Sequence, residues 1–127
     1  MAIALGVNHV SFPVRDLADA LAFYRDLLGL ETLPRPDFGV DGAWLGVGNA
    51  QTHLIVTPAG MAVDQPPPTL NPAASHLAFA IADYGKTLAR LQGAGHEVLT
   101  PGAESGQMWV RDPDGHVIEL IDPAARR

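Results

Sequence analysis

Apolar side chains alternate with polar or small ones over residues 7–14. Val10, Phe12 and Val14 fall on one face of an extended chain, and His9, Ser11 and Pro13 on the other. A period of two marks a strand buried on one side. The period then lengthens: Leu17, Leu21, Tyr24 and Leu28 recur at helical spacing, Asp16 is a side-chain cap, and Gly29 can take the left-handed position past the end. The spacing therefore predicts a helix from Asp16 to Leu28, and three short strands are expected after it, at about 31–35, 42–47 and 50–57.

The pattern then starts again. Asn8-His9-Val10-Ser11-Phe12 aligns with Ser75-His76-Leu77-Ala78-Phe79, Asp16 with Asp83, Leu21 with Leu88, Ala43-Trp44-Leu45 with Met108-Trp109-Val110, and His53-Leu54-Ile55 with Glu119-Leu120-Ile121. A second helix is expected behind Asp83, with Leu88 and Leu91 on its buried stripe and Gly93 and Gly95 ending it. Strands should follow at about 96–100, 106–111 and 116–121, the last two joined by a turn at Asp112-Pro113-Asp114-Gly115. The fold class expected is α+β: two tandem βαβββ modules, residues 1–57 and 73–127, forming a curved mixed sheet around a metal cleft. Residues 58–72, which include Pro66-Pro67-Pro68, read as a stiff connector, and the whole is taken as one domain.

Composition narrows the chemistry. With no Cys among 127 residues, disulfides, thiolate nucleophiles and iron–sulfur clusters are excluded, so a metal site must use nitrogen and oxygen. The formal net charge is −6 and the eight Lys and Arg are scattered, which makes nucleic acid a poor partner; the Arg126-Arg127 end is too short for a basic tail. No membrane span and no secretory signal are read, and a cytoplasmic location is expected.

Parity then singles out four side chains. His9 and His76 lie opposite the bulky sets Val10/Phe12/Val14 and Leu77/Phe79/Ile81, so both imidazoles should point away from the helices. On the last strand of each module, His53 shares a face with Gln51 and Ile55, and Glu119 with Val117 and Ile121. Three imidazoles and a carboxylate sharing one cleft would suit a single divalent ion: Zn, Ni, Fe, Mn or Co. The ordinary reading of any one such His is a satisfied polar side chain, and repetition at matched positions favours ligation. His96 and His116 sit beside turns, where a solvated His is the usual outcome. Phe38, Trp44, Met108 and Trp109 are candidate substrate-binding walls, with plain core packing as the alternative.

The Asn8-His9-Val10 strand, the helix Asp16 to Leu30 with Phe23-Tyr24 before Leu28-Gly29-Leu30, the Ser75-His76-Leu77 strand and the closing Asp112-Pro113-Asp114-Gly115-His116-Val117-Ile118-Glu119-Leu120 resemble the vicinal oxygen chelate superfamily of glyoxalases, bleomycin resistance proteins and extradiol dioxygenases. That resemblance implies metal ligands at His9, His53, His76 and Glu119, a small-molecule substrate and a homodimer. It also implies a metal-dependent glyoxalase-like lyase or isomerase in which Glu119 acts as catalytic base. Glyoxalase I-like members usually carry a glutamate where this chain has His53. The alternatives are an Fe(II) extradiol-type dioxygenase, a fosfomycin-type thiol transferase, and a non-catalytic antibiotic-binding resistance protein.

Overall fold

The opening alternation becomes strand β1 (His9–Val14), with Phe12 and Val14 buried and His9 exposed. The structure, a computed structural model, describes residues 1–126; Arg127, half of the Arg126-Arg127 end, lies outside the described residues. Asp16 caps helix α1 (Leu17–Leu21), its side chain accepting from the Asp19 amide at 3.0 Å.

The single helix expected over 16–28 changes character at Ala22: a π-helix runs over Ala22–Leu27, with the Leu28 amide donating to the Phe23 carbonyl at 3.0 Å. Its wider turn lets the neighbours Phe23 and Tyr24 both be buried, with Tyr24 stacked on Phe12 at 5.8 Å and Phe23 edge-on to Tyr24 at 4.9 Å. Gly29 follows at φ 84°, the left-handed conformation that the helix end requires.

Strands β2 (Glu31–Leu33), β3 (Gly42–Val47) and β4 (Ala50–Val56) complete a mixed sheet in the order β1-β4-β3-β2, with β1 parallel to β4 and the other pairs antiparallel. Strand β2 is shorter than expected because Pro34 and Pro36 have no amide to give to a ladder. Residues 58–72 form no helix or strand, and the chain divides after Asp64 into two compact units.

The second unit repeats the plan with one strand fewer. Strand β5 (His76–Ala80) leads to helix α2 (Tyr84–Gly93), capped by Asp83, which accepts from the Lys86 amide at 2.9 Å. Strands β6 (Gln107–Arg111) and β7 (Val117–Ile121) follow, in the sheet order β5-β7-β6 with β5 parallel to β7.

The strand expected at 96–100 shrinks to an isolated bridge between Leu99 and Trp109. Gly95 on one side and Pro101-Gly102 on the other leave it little length, and the Thr100 hydroxyl is taken up by the Tyr84 hydroxyl and the Gln107 carbonyl. The turn before β7 forms as expected: Asp112 Oδ1 accepts from the amides of Asp114 and His116 at 2.9 and 2.8 Å, and Gly115 sits at φ 89°. His116, expected in solvent, is instead buried. Among the described residues no helix is long and apolar enough to cross a membrane.

Candidate functional site

In the first unit the strand register lines up three rings on one face. Trp44 pairs with His53 across β3 and β4, and His53 faces Ser11, two residues from His9, across β4 and β1. The indole stacks on the His53 imidazole at 4.5 Å and 10° between planes, and His53 stacks on His9 at 4.0 Å and 12°. Phe38, exposed in the β2–β3 loop, leans on Trp44 at 5.9 Å.

His53 is buried, and its Nε2 lies 2.9 Å from Gln51 Oε1. Burial holds its pKa below the usual imidazole range, helped by the positive fields of His9 and Arg35. A depressed pKa keeps the ring neutral, the form that can bind a metal. His9 is oriented by its neighbour: Nδ1 donates to Asn8 Oδ1 at 2.8 Å, which leaves the Nε2 lone pair free to act as a ligand.

The second unit repeats this register with different chemistry. Trp109 pairs with Glu119 as Trp44 does with His53, and Ala78, two residues after His76, faces Glu119 as Ser11 faces His53. His76 Nδ1 donates to the Ala74 carbonyl at 2.8 Å, so Nε2 is the acceptor of the neutral ring. That Nε2 stands 2.9 Å from Oε1 of the buried Glu119, while Gln107 Nε2 donates to Glu119 Oε2 at 3.2 Å. Both atoms offer lone pairs to the same side of the sheet, a donor pair suited to a cation bound beside them.

Each unit therefore brings two of the four expected ligands together: His9 with His53, and His76 with Glu119. Among the described residues no three His, Asp or Glu side chains form one group able to hold a metal. The donors nonetheless suit a divalent ion chemically, because His9 and His76 each fix one ring nitrogen in a hydrogen bond and leave the other as the ligand atom.

Trp44 and Trp109 lie on the ligand-bearing faces, and Trp109 buries its Nε1 with no hydrogen-bond partner. Met108 does not join them. It is fully buried and pairs with Leu120, on the opposite face of the sheet from Glu119. Sequence reasoning missed Asn8 and Gln107, which orient His9 and Glu119; Gln107 has the parity of Trp109, the signal that could have found it.

Residues 6–120 match the sequence model of the Glyoxalase/Bleomycin resistance protein/Dioxygenase superfamily. The chain belongs to this superfamily. It is 28% identical over 122 residues to Glyoxylase I 4 of Arabidopsis thaliana, covering 91% of this chain and 70% of that protein. With the glutathione transferase FosA of Serratia marcescens it shares 31% over 117 residues, covering 90% and 78%. A solved glyoxalase-family structure from Bacillus anthracis superposes at a TM-score of 0.75 with 26% identity, covering 96% of this chain and 98% of that one. The fold is glyoxalase-like, α+β with two mixed sheets.

Proposed function

We propose that this superfamily member is a divalent-metal-dependent enzyme of glyoxalase type, carrying out lyase or isomerase chemistry on a small oxygenated substrate. The observation that supports this most directly is the pair His76 and Glu119, whose Nε2 and Oε1 face one another at 2.9 Å with Nδ1 already committed to a carbonyl. His9, His53, His76 and Glu119 would hold the ion, one of Zn, Ni, Fe, Mn or Co. When bound, the metal supplies a Lewis acid for two neighbouring substrate oxygens. Small substrates and a homodimeric assembly are part of the same proposal.

The chain's own residues carry the proton. Gln107 Nε2, donating to Oε2 of Glu119, fixes the plane of the carboxylate and leaves Oε1 as the working oxygen. From there Glu119 can take a proton from a carbon beside a carbonyl and return it to the neighbouring position. Phe38 and Trp44 offer apolar surface that orients a substrate and displaces water, while Trp109 is buried beside Glu119.

Elemental analysis of protein purified without added metal tests the proposal. One divalent ion per chain is expected, lost on exchange of Glu119 and His76 together for Ala. Protein that retains no ion and whose ligand binding ignores a chelator would overturn it. A second reading, thiol transfer, is favoured by the likeness to the Serratia protein, whose name gives it glutathione transfer. Turnover assayed with and without added thiol separates the two.

A further inference from the structure

Arg35, in the loop after β2, lays its guanidinium over Phe38, with Cζ 5.2 Å from the ring centroid. The same group lies against the backbone of Gly42, where an added methyl would meet Arg35 Nη2 at 3.0 Å and Cζ at 3.1 Å. Gly42 has the parity of Trp44 on β3, so the cation, Trp44 and the two histidines share one face of this sheet.

The guanidinium is poorly compensated. Nη2 donates to the Val40 carbonyl at 2.9 Å, Nε is buried with no partner, and no described carboxylate forms an ion pair with Arg35. Arg35 is half-buried, with its Nε out of water, so its charge is weakly screened and attracts an anion to the outer edge of the guanidinium. Nη1 and the second Nη2 hydrogen form the outer edge of the fork and remain for a planar acceptor.

We propose that Arg35 anchors the carboxylate of a planar, conjugated substrate whose flat part lies on Phe38 and Trp44. This deepens the proposed function and rests on its reading of this face as the substrate side. A carboxylate matches the guanidinium fork, and the rings beside it favour a flat neighbour. The row of rings runs on from Trp44 to His53 and His9, so a molecule held at its acid end extends toward the proposed metal ligands. Within that reading, Arg35 selects acids over neutral analogues of the same shape.

Benzoate and its neutral counterpart benzyl alcohol are the probes, titrated into chelator-treated protein and followed by tryptophan fluorescence and the indole NMR signals. Wild type should bind benzoate saturably and more tightly than benzyl alcohol, with affinity falling as salt rises. In Arg35→Gln the benzoate affinity should drop about tenfold while the weak benzyl alcohol binding stays unchanged. Arg35→Lys, which keeps the charge and loses the fork, should fall between them and serves if the Gln variant does not fold. Undiminished benzoate binding in Arg35→Gln, equal affinity of wild type for the two probes, or no benzoate binding would overturn the proposal. Because no metal is present in any arm, a protein without a metal site can still pass this test, and a flat titration leaves the metal content untouched.

Discussion

The imidazoles of His9 and His53 lie face to face, 4.0 Å between centroids and 12° from parallel, with only His53 buried. Two stacked cations in that position would repel, and burial already disfavours charge on His53. In the folded chain its pKa is therefore below that of the unfolded chain, so the unfolded state binds more protons as the solution is acidified. In chelator-treated protein the contribution is present above about pH 6.5 and is lost as pH falls below it. Urea unfolding at a series of pH values should show stability decreasing from neutral toward acid pH, and a shallower decrease in His53→Gln. An equal pH slope in the two proteins would remove His53 as the cause.

Much of the frame was legible because it follows from local rules. The caps Asp16 and Asp83, the Asp112 turn and the parity of His9, His53, His76 and Glu119 each depend on a few neighbouring residues, and each stands in the structure. What escaped depends on packing. Helical spacing says nothing of a π-helix that lets two consecutive aromatic residues enter the core at Phe23 and Tyr24. Strand propensity at 96–100 could not show that Thr100 spends its hydroxyl on Tyr84 and Gln107, and nothing local marks His116 for burial. Met108, expected with Trp109 as a candidate wall, faces the other way because adjacent strand residues point to opposite faces. Arg35 was invisible for the same reason: its partners Phe38 and Gly42 meet it only once the β2–β3 loop has folded.

Gly42 gives a prediction about stability. A Cβ there would sit 2.3 Å from the Leu54 carbonyl oxygen, a backbone atom of the paired strand β4 that cannot retreat without opening the ladder. Gly42→Ala should cost about 1–3 kcal/mol by chemical denaturation. Gly93 in α2 has open space around its Cα, and Gly93→Ala should be neutral or stabilising by up to about 1 kcal/mol. Equal effects at the two positions would show that close approach to β4 is not what Gly42 supplies.

The turn before β7 gives another. Asp112 is buried and its Oδ1 accepts from two amides, those of Asp114 and His116, the second at the residue just before the strand that carries Glu119. Asp112→Ala leaves the buried His116 amide without this acceptor and should cost about 1–3 kcal/mol. Asp112→Asn keeps the oxygen and should recover most of it. Denaturation curves for the two variants give the comparison, and an Asn variant as unstable as the Ala one would assign the effect to charge instead of to the amide contacts.

Glu119 separates ligation from proton transfer. In Glu119→Gln the side chain keeps its shape and one oxygen for the ion, and its NH2 can donate to the Gln107 amide oxygen once that amide turns over, but no carboxylate remains to accept a proton. Turnover should fall by about a hundredfold to ten-thousandfold while much of the metal stays bound. The companion change Gln107→Leu removes the donor at 3.2 Å from Oε2 and leaves the carboxylate free to rotate. It should lower kcat by a smaller factor with metal content intact, as expected of a residue that positions the base. Elemental analysis beside kcat on a panel of α-oxo aldehydes and their thiol adducts reads both quantities. If Glu119→Gln lost metal and turnover in step, Glu119 would be a ligand alone and the base would have to be sought elsewhere on the same face.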